Sequence, residues 1–360
     1  MKISILLPYK ENFSPSYAGA VSIYVNDTYK ESEYKKNIFI YGSTSFKRKL
    51  SSNYINLPFK KEFFKSSSKV YVNNFLKEEK KKASNIIEIH NRPSYVDIIY
   101  PFTKAKLVLY FHNDPLEMNG SKSKKERINL FNKTEKIIFN SNWSKERFIK
   151  NIDKIYHKSK KLEVIYQSTN KTKINLKKKK KIITFVGKLN KAKGYDIFGN
   201  AIIKILNKYP DWKSNVYGDE PREKIIFNHK NLNLLGFQTH SKVLENFKKS
   251  SITVVCSRWE EPFGRTSLEA ASRGCAVIIS NKGGLPETVT NAIILKKLNS
   301  NKLIKEIENL ILSPNNRLKL QKNSLKNFYL TNKFVTKKID NYRNEILEKS
   351  KNNKIPKNKK

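Results

Sequence analysis

"SITVVCSRWEEPFGRTSLEAASRGCAVIIS", residues 251–280, is the stretch on which the fold turns. Ile252–Cys256 is a short apolar run rich in β-branched residues, which predicts a buried strand. Pro262 and Gly264 punctuate "EEPFG" as a turn. "RTSLEAASR" holds good helix formers, with Leu268 and Ala271 on one face, and Gly274 is a natural helix stop. Ala276–Ser280 is the next strand. Strand, loop, helix, strand is the repeating unit of a parallel α/β sheet, whose neighbouring strands need a crossover between them.

The same alternation extends outward on both sides. Before this stretch, candidate strands fall at Ile3–Pro8, Ile38–Gly42, Ile86–His90, Leu107–Phe111, Ile137–Asn140 and Val164–Tyr166, separated by helix-length segments such as Ala20–Lys35 and Ser94–Lys104. "STNKTKINLKKKKK", residues 168–181, has no apolar periodicity and reads as a linker or exposed loop. A second series follows at Ile182–Gly187, Lys213–Tyr217, Leu232–Leu235, Ile252–Cys256 and Ala276–Ser280. The expected organisation is a Rossmann-like domain at 1–170, a second at 171–330, a C-terminal helix at 331–349 that packs back toward the first domain, and a disordered basic tail at 350–360. Two such α/β domains are expected to face each other across a central cleft.

Composition narrows the function classes. A chain of 360 residues suits two domains of ordinary size, and 38% apolar residues suffice for cores, which argues against global disorder. No apolar run reaches the roughly 18 residues of a membrane span. The opening "MKISILLPYK" reads as a buried first strand; a secretory signal needs a longer apolar region and a small-residue cleavage site. Two cysteines, Cys256 and Cys275, make neither a disulfide framework nor a zinc spacing, and they fit a reducing cytoplasm. The formal charge of +42 has two readings. One is a polyanion partner, either nucleic acid or an anionic membrane face. The other is codon bias, since Lys, Asn and Ile are abundant, Arg is scarce and lysines are spread along the whole chain. The second is preferred, with weak peripheral attraction to the inner face of the cytoplasmic membrane as a side effect. No nucleic-acid partner is expected, because no recognisable module is present.

Open α/β sheets bind ligands beyond the carboxyl ends of their strands, so the residues just after strands are the candidates. Glu261 and Glu269 edge one such place, at the start of a helix whose free N–H groups suit a phosphate. Ionised carboxylates also suit sugar and ribose hydroxyls. The competing reading makes Arg265 and Glu269 an i,i+4 surface salt bridge and leaves Glu261 solvated. In "FVGKLNKAKGYD", residues 185–196, Gly187 ends a strand, Lys188 and Lys193 follow, and Gly194 opens a helix. Lysines beside a tight turn suit a diphosphate, though in so lysine-rich a chain they are weak markers. In "LYFHND", residues 109–114, His112 follows a strand and can donate a hydrogen bond, shuttle a proton, or be merely structural. His90 in "EIHNRP" ranks below it, because Arg92 and Pro93 resemble local turn chemistry. Gly283 and Gly284 in "SNKGGLPE", residues 280–287, suggest either a tight turn or close ligand approach.

Taken together these positions resemble one family: the chain looks like a retaining glycosyltransferase of family 4, group 1, with the GT-B fold. The hallmark is Glu261, "PFGRTSL", Glu269, within "EPFGRTSLEAASRGCAVIISNKGGLPE"; "FVGKLNKAKG" matches the stretch that opens the family's donor domain. The resemblance is strong over 182–290 and weaker but continuous over the first 170 residues. It implies an acceptor-binding first domain and a nucleotide-sugar-binding second domain. It implies that Glu269 holds the ribose and that Glu261 contacts donor-sugar hydroxyls. Gly187, Lys188 and Lys193, the amides at Phe263 and Gly264, and Gly284 belong to the donor site, and the two lysines with those amides bind the diphosphate. His112 lies by the sugar and the reacting centre, and Gly19 in "SYAGAVSIYV" matches the phosphate and acceptor loop. Two departures stand out. The family usually has arginine at the position of Lys188, and a lysine offers no bidentate fork. Ala18 stands where a second glycine is common. There is no Asp-x-Asp motif, so no metal and no other cofactor is expected; the nucleotide-sugar is a substrate. The acceptor is expected to be a glycan or a lipid-linked saccharide, in lipopolysaccharide or other cell-surface polysaccharide synthesis. The alternatives are a non-catalytic basic protein on the same scaffold, or another GT-B enzyme such as a sugar epimerase.

Overall fold

The structure is a computed structural model and describes residues 1–58 and 66–352. It divides into two compact units, one formed by Met1–Gln167 with the helix that begins at Asn332, the other by Ser168–Thr331.

The first unit contains strands β1 (Ile3–Leu6), β2 (Ile38–Gly42), β3 (Tyr54–Asn56), β4 (Ile86–His90), β5 (Lys106–Phe111), β6 (Lys136–Phe139) and β7 (Leu162–Val164). Its helices are α1 (Ala20–Glu31), α2 (Ser67–Lys81), α3 (Ser94–Ile99), α4 (Lys124–Lys133), α5 (Asn142–Ile149) and α6 (Lys154–His157). All strand pairs are parallel, in the order β3-β2-β1-β4-β5-β6-β7. The inner strands are buried along nearly their whole length, as in β4, where every residue is buried. That burial explains why they read as continuous apolar runs rather than alternating ones. The order runs outward from β1 in both directions, so the topological switch lies between β1 and β4.

The second unit contains β8 (Lys180–Val186), β9 (Lys213–Tyr217), β10 (Leu232–Leu234), β11 (Ser250–Val255), β12 (Ala276–Ser280) and β13 (Ile293–Leu295). Its helices are α7 (Tyr195–Lys208), α8 (His240–Lys249), α9 (Arg265–Ser272), α10 (Ser300–Leu312) and α11 (Pro314–Lys326). The sheet is again parallel, in the order β10-β9-β8-β11-β12-β13, and its switch lies between β8 and β11. The sequence reading did not mark β3 or β13, each a three-residue edge strand too short to show a pattern.

Helix α12 (Asn332–Asn352) packs against α1 in the first unit. Its anchor is ionic. Arg343 is buried and grips both oxygens of Glu88 on β4, each at 2.8 Å, while a third contact reaches Asp340 at 2.9 Å. Tyr342 donates to the same Glu88 at 2.5 Å and meets the hydroxyl of Tyr110 on β5 at 2.5 Å. The helix runs on through Ser350–Asn352, where a tail was expected to begin; residues 353–360 of that expected tail lie outside the described residues.

Candidate functional site

In the second unit three strand-end loops converge on Glu261. It lies after β11 and is only 8% exposed. Ser257, at the end of the same strand, donates to its Oε1 at 2.6 Å. Lys193, from the loop after β8, places its ammonium 2.5 Å from that oxygen and 4.8 Å from the centre of the Trp259 ring. From the loop after β12, the N–H of Gly284 donates to the carbonyl of Glu261 at 2.6 Å. Two glycines make this convergence feasible. Gly194 caps α7 at φ 73°, and a Cβ there would sit 1.9 Å from the carbonyl oxygen of Cys256. Gly283 has φ 56°, and its Cβ would meet the Glu261 carbonyl oxygen at 2.2 Å. The close approach at the tandem glycines is thus made by the chain's own backbone.

Glu269 sits on α9, whose N-cap is Gly264 at φ 115° with no side-chain cap, just after the buried Phe263. Its carboxylate is 5% exposed. Arg265 Nε approaches Oε1 at 2.6 Å and His240 Nε2 approaches the same oxygen at 2.7 Å. Burial by itself pushes the carboxyl up, but Arg265 and His240 outweigh it and hold it at about 2. Glu269 is therefore an anion across the physiological range. The Arg265–Glu269 bridge exists, but it is not a surface pair, since the two side chains are 10% and 6% exposed. Nor is Glu261 solvated. At the ends of β8 and β9 lies a cavity of about 280 Å³ lined by Val186, Gly187, Lys188, Tyr217, Phe237 and Val243 among others. Lys188 is exposed.

In the first unit His112 follows β5 and is buried. Its Nε2 lies 3.0 Å from Nδ1 of His90, the last residue of β4. The residue ranked lower in the sequence is thus its direct partner. Tyr110 stacks on His90 at 4.2 Å. Burial and then the Arg343 charge push His90 down to about 3; burial and then His90 push His112 well below its ordinary value. Both rings are neutral near pH 7, one nitrogen of the shared pair donating and the other accepting. The outer nitrogens, His112 Nδ1 and His90 Nε2, are buried and have no hydrogen-bond partner among the described residues. Gly19 caps α1. The carboxylate of Glu11 is folded against it, accepting from the N–H of Ser22 at 2.9 Å. A Cβ at Gly19 would meet Glu11 Oε1 at 2.3 Å, so the N-terminus of α1 is served by an internal anion.

Of the residues marked in the sequence, the structure brings Lys193 onto Glu261 and Arg265 onto Glu269, and sets Gly194 and Gly283 where the loops meet. Sequence reading missed Ser257, Glu11 and His240. Ser257 lies within the loop and its spacing was available. His240 shares no segment with Glu269 and carries no local signal.

Comparison with known proteins adds three findings. Residues 166–327, a little under half the chain, match the family model described as glycosyl transferases group 1. Spore coat protein SA of Bacillus subtilis is 32% identical over 126 residues, which are 31% of this chain and 33% of that protein. The match therefore spans about a third of that relative's length. YtcC of the same organism, which carries only a provisional glycosyltransferase assignment, is 23% identical over 326 residues, 81% of this chain and 78% of that protein. Among solved structures, Anabaena HepE in complex with UDP and glucose superposes with a TM-score of 0.73 at 16% identity, covering 96% of this chain and 99% of that one. The fold is that of the GT-B class, two Rossmann-like parallel-sheet domains. No described helix is long and apolar enough to cross a membrane.

Proposed function

We propose that the chain is a group 1 glycosyltransferase of the retaining, family 4 kind, moving a sugar from a nucleotide-sugar to a glycan or lipid-linked acceptor. The observation that carries this reading is the convergence of Lys193, Ser257 and Gly284 on Glu261, at the β8/β11 switch of a segment that matches the group 1 model. Glu261 contacts hydroxyls of the donor sugar. Glu269, held ionised, accepts from the ribose. Gly187 and Lys188 border the cavity that takes the nucleoside. Lys193, with the amides at Phe263 and Gly264 at the start of α9, neutralises the diphosphate. Gly264 opens α9 toward the diphosphate, and Gly284 ties the loop after β12 to Glu261 beside the donor.

The chemistry follows from charge. Departure of the nucleoside diphosphate builds negative charge on phosphate oxygens, and fixed cations and helix-terminal N–H groups stabilise it without reorganising. An ammonium has three donors, so Lys193 can hold Glu261 and still reach a phosphate oxygen. These groups do the work a divalent ion does elsewhere, so the reaction is proposed to need no metal. The acceptor hydroxyl attacks on the face that the leaving group vacates. The acceptor belongs to cell-surface glycan synthesis such as lipopolysaccharide, met in the cytoplasm at the anionic inner membrane face, where lysines supply a salt-sensitive attraction.

The test is release of nucleoside diphosphate from UDP-, GDP-, ADP- and dTDP-sugars in EDTA, with lipid-linked saccharide extracts as acceptor. One nucleotide class should turn over, and Glu261→Ala should slow it by roughly 10²–10³-fold, the size expected when a preorganised contact at the reacting centre is removed. Turnover that appears only with added divalent ion removes the metal-free mechanism; no turnover with any donor removes the assignment.

A further inference from the structure

We infer that His240 is a positioning residue that sets the Glu269 carboxylate for the ribose diol of a ribonucleoside diphosphate. The inference rests on the donor-site reading and adds to it a residue from outside the glutamate motif.

Three observations lead there. Both donors to the carboxylate, Arg265 Nε and His240 Nε2, fall on Oε1, and no described residue bonds Oε2. A carboxylate gripped at one oxygen presents the other to an incoming hydroxyl. The two donors are also unequal. Arg265 rides on α9 with Glu269, one helical turn away, so its bond to the carboxylate is made within that helix. His240 comes from a different element. It is the first residue of α8, so its bond ties α8 to α9 through the carboxylate. Finally, the residues around His240 build the cavity wall: Phe237 and Gln238 precede it and Val243 follows it, and all three line the 280 Å³ space. One short segment therefore shapes the apolar cavity that suits a base and grips the anion that suits a ribose. His240 Nε2 must carry the proton for this bond whether the ring is neutral or charged, so the tautomer is set by Glu269.

A role in orienting Oε2 predicts a loss that depends on the sugar hydroxyls. The experiment is isothermal calorimetry of the full chain with UDP, GDP and ADP, and with the 2′,3′-dideoxy form of whichever binds tightest. His240→Ala should weaken the ribonucleotide roughly tenfold, the loss expected for one charge-assisted contact, and change the dideoxy form less than twofold. His240→Gln, whose amide can donate to Oε1, should recover most of the affinity. Equal losses for both forms would mean that His240 only supports the fold, and unchanged binding of both would mean that Arg265 suffices; either overturns the inference while leaving the donor site intact. A wild-type chain that binds none of the three nucleotides sinks the donor-site reading, and this inference with it.

Discussion

The two units bury charge in opposite ways. At the carboxyl edge of the second sheet the two carboxylates have partly open donors. Lys193 is 26% exposed against Glu261, and His240 is 29% exposed against Glu269. Under α12 in the first unit the ions are sealed, with Arg343 at 2% and Glu88 at 1%, and the two histidines beyond them are held neutral. An open pair can share its donors with a ligand at little desolvation cost. A sealed pair cannot exchange partners without stranding a charge in low dielectric, so it fastens structure instead. The difference separates donors that can be shared with an incoming group from ions that attach a distant helix.

The largest effect should come from breaking the seal. Arg343→Met strands Glu88 and should cost the first unit about 3–5 kcal/mol, the range for an orphaned buried charge. Denaturant melts of variants that keep only Trp143, or only Trp212, report on the two units separately. A loss that registers equally at both reporters, or stays below about 1 kcal/mol, would erase the contrast.

Acid should sharpen it. His90 titrates near 3 in the folded chain against an ordinary 6.5. The unfolded chain thus takes up the proton first, and stability is lost as pH falls from about 6.5 toward 3. Glu269 is depressed from 4.5 to about 2, so its stabilisation is intact above 4.5 and is lost from there toward 2. The first unit should therefore begin to weaken nearly two pH units before the second, at up to about 1.4 kcal/mol per pH unit for each coupled proton. His90→Asn should flatten the early limb and Glu269→Gln the late one, read with the same tryptophan reporters across pH 7 to 3.

The smallest effects belong to pairs that both units share. Lys124–Asp153 in the first and Lys248–Glu245 in the second are solvent-facing. Removing either lysine should change stability by less than about 0.5 kcal/mol. A larger loss in one unit would show that exposure does not sort these pairs.

How much of this was legible follows from sequence distance. Glu261, Gly264 and Glu269 share one strand–loop–helix stretch, so local pattern alone placed them at a strand end. Most strands of both sheets were read from their apolar runs, to within a few residues at their ends. What escaped was assembled by the fold. His240 reaches Glu269 across 29 positions, and Arg343 reaches Glu88 across 255. Neither contact leaves a period or spacing to detect. His90 was discounted for the turn beside it. The turn is real, with Asn91 at φ 56°, but it closes just after the strand end that presents His90 to His112. At Gly19 the glycine was legible; the Glu11 carboxylate packed against it was not.

If the second unit binds a nucleoside diphosphate through Glu269 without a metal, as proposed, nucleotide-sugars must stabilise it in the absence of divalent ions. A thermal-shift titration in EDTA with UDP-, GDP-, ADP- and dTDP-sugars, on the wild type and on Glu269→Ala, tests it most directly, since a ligand that binds only the folded state raises the melting point by mass action. One nucleotide class should stabilise the wild type, and Glu269→Ala should abolish the shift. A wild type that no nucleotide-sugar stabilises, or a shift that survives in Glu269→Ala, would contradict the proposal.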